Sequence, residues 1–450
     1  MSYSAAVEGL LARGHELLPA HRVPRRKFDL EQMRLLAAEL GHPERQFRSV
    51  LIAGTNGKGS TAATLASILQ SAGYRTGLYT SPHLSRLNER IQINRELISE
   101  DHFARLYFRV DEAGARLLKA GKLAQPPSFF EAMTAVAFAH FAEQNVDLAV
   151  LEVGMGGRLD ATNIVDPLLS IITDISLDHM EWLGQTVAEI AREKAGILRP
   201  GGTMITLPQH PDANRVLGEC AMTLEVNGIN AAEYMPQPHA STSHAFRDSE
   251  YDITLMGSVV RVSPALAGVH QHRNTALAIA AAVELCNTHG YKLNTDAILS
   301  GINTANWPGR LELFQRTGQR CAVLLDVAHN PAGAWTLRSA VTNLPGFARR
   351  TLLFGCLRDK AYAEMAQILF PVFDCVLLSP VDSSRSASAG DLLAAAAPLG
   401  TQAQAVDSPR AGLNLALRDA APADLVVCAG SIYLVGPIRD DLIAPSENAL

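Results

Sequence analysis

The sequence predicts an α/β protein: a P-loop domain on a mostly parallel sheet, followed by a smaller α/β domain. Three observations carry that expectation. A short apolar run at 49–53 ends in Gly54-Thr55-Asn56-Gly57-Lys58-Gly59-Ser60, and an amphipathic stretch follows with Leu65, Ile68, Leu69 and Ala72 at helical spacing. Apolar runs then alternate with helical patterns, as in a parallel sheet covered by helices. After Thr304-Ala-Asn-Trp-Pro-Gly-Arg310 the alternation restarts, which divides the chain into 1–307 and 308–450.

Strands are expected at 49–53, 76–80, 147–153, 168–173 and 203–207, each a short aliphatic run bounded by polar or glycine-rich residues. Helices are expected near 62–72, 129–143 and 187–195. The last two open on Ser128-x-x-Glu131 and Thr186-x-x-Glu189, the reciprocal pairs of capping boxes. Two short apolar runs around Met256-Gly257-Ser258, within 251–262, read as a hairpin added to the sheet. Residues 230–250, rich in Ala, Pro, His and Ser, read as a surface loop. In the second part, strands are expected at 321–327, 351–355, 375–378 and 425–429, with helices near 334–344, 362–369 and 391–396. Residues 380–390 are a candidate mobile loop, and no repeat of fixed period is present.

Bulk composition narrows the function. With 450 residues, 48% hydrophobic and 19% charged, the chain can bury a large core. A net charge of −6 speaks against general nucleic-acid binding. No apolar run reaches the length of a membrane span. The basic residues Arg22, Arg25, Arg26 and Lys27 precede no apolar core, so no signal peptide is read. The six cysteines are scattered without a C-x-x-C pair and fit buried thiols in a reducing cytoplasm better than zinc or redox sites.

The chemistry gathers at strand ends, where open parallel sheets bind ligands. In the first loop, backbone amides, a helix N-terminus and Lys58 would cradle phosphate, and a hydroxyl would complete a Mg2+ shell. The loop departs from G-x-x-x-x-G-K-[ST] because Gly59 separates the lysine from Ser60. The other reading is an ordinary turn with a solvated Lys58. Three more strands end in Ser81-Pro82-His83-Leu84, in the run from Glu152 to Asn163, and in Asp174-Ile-Ser176-Leu-Asp178-His179.

Glu152 closes an apolar strand, where an unpaired carboxylate is costly. It either ligates Mg2+ or pairs with Arg158 or Lys58. His179 is a metal ligand or a structural histidine. Lys194 continues the apolar stripe of Val187, Ile190 and Ala191. It is either a cation favoured by the helix C-terminus or a group that reaches the phosphate site, where CO2 would convert it to a carbamate able to hold Mg2+. Phe129 and Phe130 face a flat ligand or the core, and a capping box suffices to explain Glu131. Arg310, Asp326 and His329 suit a clamp facing the phosphate loop; the alternative for Asp326 and His329 is a helix-capping turn before Pro331.

Gly54-Thr-Asn-Gly-Lys-Gly-Ser60, Thr80-Ser-Pro-His-Leu84, Leu151-Glu-Val-Gly-Met-Gly-Gly-Arg-Leu-Asp-Ala-Thr-Asn163, Leu177-Asp-His179 and Arg192-Glu-Lys-Ala-Gly-Ile197 resemble the folylpolyglutamate synthase/dihydrofolate synthase family, within the Mur ligase group. Gly268-Val-His-Gln-His-Arg-Asn274, Pro308-Gly-Arg310, Asp326-x-Ala-His-Asn-Pro331 and Gly430-Ser-Ile-Tyr-Leu434 extend the resemblance into the second domain. It implies a Rossmann-like C-terminal domain and an ATP-dependent amide ligase joining L-glutamate to dihydropteroate or a reduced folate through an acyl phosphate. By the same resemblance, Lys58 and the loop from Gly54 to Ser60 hold the phosphates. Ser60 and Glu152 bind one Mg2+; Ser81, His179 and Glu152 bind a second, near carbamylated Lys194. Asn274 contacts adenine, Arg310 the phosphates, and Asp326 and His329 the nucleotide or incoming substrate. Phe130, Asp160 and Ala161 line the pterin site. His329 is a candidate base for the glutamate amine. The implied enzyme is a cytoplasmic monomer with small-molecule substrates, without nucleic-acid or membrane partners. The rivals are another Mur-type amino-acid ligase, disfavoured by the lack of an obvious N-terminal UDP-sugar domain, and a nucleotide-gated binding protein.

Overall fold

The first sheet is built around strand β1 (Arg48–Ala53), whose residues after Arg48 are all buried. Such a run needs cover on both faces, and the fold supplies it. The computed structural model describes residues 2–14, 30–237, 250–315 and 321–444. Its larger sheet contains β1, β2 (Thr76–Tyr79), β3 (Ile91–Ile93), β4 (Glu96–Leu97), β5 (Leu148–Glu152), β6 (Leu169–Ile172), β7 (Thr203–Thr206) and β8 (Asn227–Asn230). The spatial order is β4-β3-β2-β5-β1-β6-β7-β8. Pairing is parallel from β2 to β8, and β3 and β4 add antiparallel at one edge.

Alternation along β1 divides its side chains between two helical layers. Leu51 and Ala53 join Phe138 and Met133 of helix Phe129–Glu143. Val50 and Ile52 join Leu65 and Ile68 of helix Lys58–Ser71. That helix is covered in turn by helices Gln271–His289 and Thr295–Thr304. The last packs so closely that a Cβ on Gly301 would lie 2.3 Å from Ile68 Cα.

The second sheet contains β11 (Glu312–Phe314), β12 (Ala322–Asp326), β13 (Arg350–Phe354), β14 (Cys375–Leu378), β15 (Ala403–Ala405) and β16 (Leu425–Ala429), in the order β11-β12-β16-β13-β14-β15. Only β11 runs antiparallel to its neighbour.

Several expectations are corrected. The hairpin β9 (Tyr251–Leu255) and β10 (Ser258–Val262) forms its own two-stranded sheet and does not extend the larger one. Tyr251, Ile253 and Leu255 are buried in the core beside helix Gln271–His289, so the hairpin docks through side chains. In the expected loop at 230–250, Asn230 caps a short turn, Ala231–Tyr234, while 238–249 lie outside the described residues, as do Arg22, Arg25, Arg26 and Lys27. The candidate mobile loop at 380–390 is tied down: Arg385 pairs with Asp359, Leu357 bridges Ser386, and Ser388 caps helix Ala389–Ala396. Among the described residues, no helix is long and apolar enough to cross a membrane. All six cysteines are free, and burial pushes the Cys356 thiol up to about 12.

Candidate functional site

Strand register assembles the site before any side chain is considered. Ile52, two residues before Gly54, lies opposite Glu152, and Tyr79, two residues before Ser81, lies opposite Leu151. The carboxyl ends of β1, β2 and β5 therefore bring the phosphate loop, Ser81 and Glu152 to one edge.

The loop is anchored by part of its own backbone. The Thr55 and Asn56 amides donate to the Asp174 carbonyl at 2.8 and 3.2 Å, so those two are already engaged. The Thr55 hydroxyl donates to the Ser176 carbonyl at 3.1 Å. Arg273 holds Asp174 through Nε at 2.9–3.0 Å. The amides left for an anion belong to the first turn of helix Lys58–Ser71, which contains Gly59 and Ser60. Gly57 caps that helix at φ 88°, and a Cβ there would lie 2.2 Å from Asn274 Oδ1. A Cβ on Gly59 would lie 2.6 Å from the Trp307 ring. Gly57→Ala is therefore expected to weaken ADP binding at least about tenfold, through left-handed strain and displacement of Asn274; calorimetric titration reads it directly.

Two lysines converge on one carbonyl. Lys58 Nζ donates to the carbonyls of Gly54 and Thr55 at 3.2 Å each. Lys194 Nζ donates to Gly54 O at 2.7 Å. Lys194 lies in the last turn of helix Val187–Ala195, is buried, and reaches the phosphate loop. Burial, and then the charge of Lys58, pull its amine down to about 7. The unfolded chain, with an ordinary lysine, binds more protons between about pH 7 and pH 10.5, so this group makes stability rise with pH across that window. In CO2-free buffer, raising the pH from about 7.5 to about 9 is expected to stabilise the protein by about 2 kcal/mol more than Lys194→Met; urea titration measures the difference.

Glu152 is buried, accepts from the Ser81 amide at 3.2 Å and lies 4.0 Å from Lys58 Nζ. Burial raises its pKa, against the opposing pull of Lys58, the Ser81 amide and Arg310. Arg158 is paired with Glu193 at 2.9 Å and is not its partner. His179 sits at φ 50° as it caps a short helix, Met180–Leu183; burial holds its imidazole near 3, and therefore neutral. A carboxylate and serine hydroxyls suit a hard divalent ion that keeps waters and phosphate oxygens in its shell, and the neutral imidazole can add one nitrogen ligand. No group of three or more His, Cys, Asp or Glu able to hold a metal occurs among the described residues.

The two phenylalanines part company. Phe129 is buried beneath the Arg90 guanidinium, 5.2 Å from the ring centroid. Phe130 reaches the cavity, where a Cβ on Gly154 would lie 2.4 Å from its Cζ. Asp160 is buried and accepts from the Met155 and Thr162 amides at 3.0 Å each, so it shapes the loop that carries Ala161. Burial raises its pKa.

The second domain closes the site. A cavity of about 320 Å³ is lined by Ser81, Phe130, Asp160, Ala161 and His179 from one side and by Arg310, His329, Lys360, Arg385 and Tyr433 from the other. Asp326 gives both oxygens to backbone, accepting from the Leu311 amide at 2.9 Å and the Ala328 amide at 2.8 Å. It thereby fixes the turn that carries Arg310, where Leu311 has φ 47°. Asn330, rather than Asp326 or His329, caps helix Pro331–Thr342. His329 Nδ1 lies 3.0 Å from the Val327 carbonyl; taken as the donor, it leaves Nε2 as the acceptor. Asn330 and Trp307 stand in motifs read from the sequence but without a role, and Lys360 stands in none. Lys360 follows β13 in a charged run, Gly355-Cys-Leu-Arg-Asp-Lys360, and the strand-end rule applied to the first domain finds it.

Comparison with known proteins agrees with this architecture. The Mur ligase middle domain matches residues 52–282 and the Mur ligase glutamate ligase domain matches 309–432. The chain is 35% identical over 424 residues to dihydrofolate synthase/folylpolyglutamate synthase of Bacillus subtilis, covering 92% of this chain and 94% of that one. With the Escherichia coli protein of the same name it shares 33% over 411 residues, covering 91% and 90%. Mycobacterium tuberculosis folylpolyglutamate synthase complexed with ADP superposes with a TM-score of 0.87 at 30% identity, over 98% of this chain and 99% of that one. E. coli FolC in complex with DHPP and ADP gives 0.83 at 29%, over 99% and 98%. Motifs, fold and strand-end geometry lead to one assignment: the chain belongs to the folylpolyglutamate synthase/dihydrofolate synthase family of Mur ligases.

Proposed function

We propose that the protein is an ATP-dependent, ADP-forming ligase that adds L-glutamate to dihydropteroate and to tetrahydrofolate or its polyglutamates. The observation that carries this reading is the convergence of Lys58, Lys194 and the Gly54 loop beside buried Glu152, under a second domain that presents Arg310, His329 and Lys360. A carboxylate does not acylate an amine at neutral pH, so it must be activated. The acid attacks the γ-phosphorus of ATP, ADP leaves, and an acyl phosphate forms. The glutamate amine then attacks the acyl carbon, and phosphate departs from the tetrahedral adduct.

In this reading residues 1–307 bind nucleotide and the pteroate acid, and 308–450 present glutamate. The first-turn amides and Lys58 hold the phosphates, and Arg310 balances charge that develops on transfer. Asn274, beside Gly57, marks the direction of adenine. Asp326 acts on the nucleotide through the turn it holds. Phe130, Asp160 and Ala161 border the pterin end. Ser60, Ser81, Glu152 and His179 would hold Mg2+ at two positions, and the metal would supply charge neutralisation at the phosphates. Lys194, with its amine near 7, is chemically ready for carbamylation. His329 would take the amine proton at Nε2. A cytoplasmic monomer fits small-molecule substrates of this kind.

ADP release is measured with dihydropteroate and with a reduced folate, each with and without glutamate. Release that requires acid and glutamate together is expected. Release indifferent to both would make the protein a nucleotide-gated binder, and a requirement for another amino acid would make it a different Mur-type ligase.

A further inference from the structure

Asp178 belongs to none of the roles assigned above, yet it joins the two domains through several polar contacts. Its side chain is 10% exposed. Lys360 Nζ donates to Oδ1 at 2.7 Å and Asn330 Nδ2 donates to Oδ2 at 3.3 Å; His329 Nε2 lies 3.7 Å from Oδ2 and pairs with it only once that nitrogen has taken a proton. All three come from loops at the carboxyl ends of β12 and β13 in the second domain. On its own side Asp178 accepts the His179 amide at 2.9 Å. The Asn330 amide nitrogen also donates to Asn56 Oδ1 at 3.1 Å, so the cluster touches the phosphate loop itself.

A second join is of a different kind. Leu84 packs into the apolar core of the second domain, and the Ser85 hydroxyl donates to the Gly436 carbonyl at 3.3 Å. Leu84 also lies against Gly309 of the connecting turn. That contact is close, since a Cβ on Gly436 would lie 2.1 Å from the Leu84 carbonyl oxygen, and it keeps the domains adjacent. The Asp178–Lys360 pair is charged, mostly buried and directional, so it favours one arrangement of the two domains.

We propose that Asp178 is the latch that holds the second domain closed over the phosphate loop, and that it is thereby a positioning residue for Lys360 and His329 at the cavity. Breaking it removes the closed arrangement in which two substrates meet, while the phosphate loop, Lys58 and Asn274 of the first domain still hold nucleotide. The structural half of this inference is independent of the reaction proposed above; its kinetic half rests on it.

The test uses the full chain with Asp178→Asn. X-ray scattering without ligands is expected to show a larger radius of gyration and a broader distance distribution than wild type. The kcat for ADP release with acid and glutamate is expected to fall about 30-fold, while ADP affinity by calorimetry changes far less than kcat. Asp178→Glu is expected to restore compact scattering and most of kcat. Wild-type scattering together with wild-type kcat in Asp178→Asn overturns the proposal. So does a loss of ADP affinity equal to the loss of kcat, which would make Asp178 part of the nucleotide site. If Asp178→Asn is unfolded by circular dichroism, Lys360→Met breaks the same join from the other side and must broaden the scattering in its place. If the wild type shows no glutamate-dependent turnover, the proposed reaction has failed and scattering alone decides the latch.

Discussion

Glu152→Gln is expected to abolish ADP formation while the protein stays folded. Glutamine keeps the size of the side chain and an oxygen to accept the Ser81 amide, so the local hydrogen bond survives. What disappears is a charge that burial already makes expensive and that faces Lys58 at 4.0 Å. Without it, neither a divalent ion nor the phosphate-loop lysine has its anionic counterpart in the water-poor edge of the sheet. Loss of a metal-centred contribution of about 4 kcal/mol corresponds to about a thousandfold in kcat. The melting temperature should remain near that of the wild type, because a desolvated carboxylate stabilises little in the absence of metal. Coupled ADP-release kinetics and a thermal melt measure both. Near-normal turnover would contradict the metal role of Glu152.

Lys194→Ala is the second large effect, expected at about a hundredfold or more in kcat. Its distinctive feature is how it should be rescued. At neutral pH an amine titrating near 7 is about half uncharged, and the uncharged amine adds CO2 to give a carbamate and a proton. Truncation to alanine leaves a space beside the Gly54 carbonyl large enough for a small ion. If the working group is the carbamate, acetate or formate should restore part of the rate and methylammonium should not. The opposite order would show that the ammonium itself is the working group. Electron density at Nζ in a nucleotide complex settles the same point directly. The apparent conflict between two cations sharing one carbonyl finds its explanation here, because Lys58 lowers the amine of Lys194 and so favours its neutral form.

Much of the framework was legible in the sequence. The strands at β1, β2, β5, β6 and β7 are short aliphatic runs ended by polar or glycine-rich residues, and a parallel sheet needs runs of that kind. The helices Phe129–Glu143 and Val187–Ala195 begin where their capping boxes said they would. Helix Glu100–Lys119 went unread although Ser99 caps it and its apolar residues recur at helical spacing; that signal was present. Strands β3, β4, β8, β11 and β15 were not readable in the same way. They are two to four residues long, and their place is set by a neighbouring edge rather than by their own pattern.

By itself the sequence determined the chemistry available: a glycine-rich anion cradle, a carboxylate at a strand end, a lysine on an apolar stripe, and the family that combines them. Those are local features, carried by spacing of a few residues. Only the tertiary structure decided which of them meet. It took Arg158 away to Glu193, sank Phe129 and presented Phe130, gave Asp326 to the connecting turn, and set Lys194 against Gly54 across 140 positions of chain. It also brought Lys360 to Asp178 across 182 positions. Contacts between residues so far apart are set by how strands pair, how helices pack on the sheet and how the two domains meet, and no short stretch of sequence encodes that.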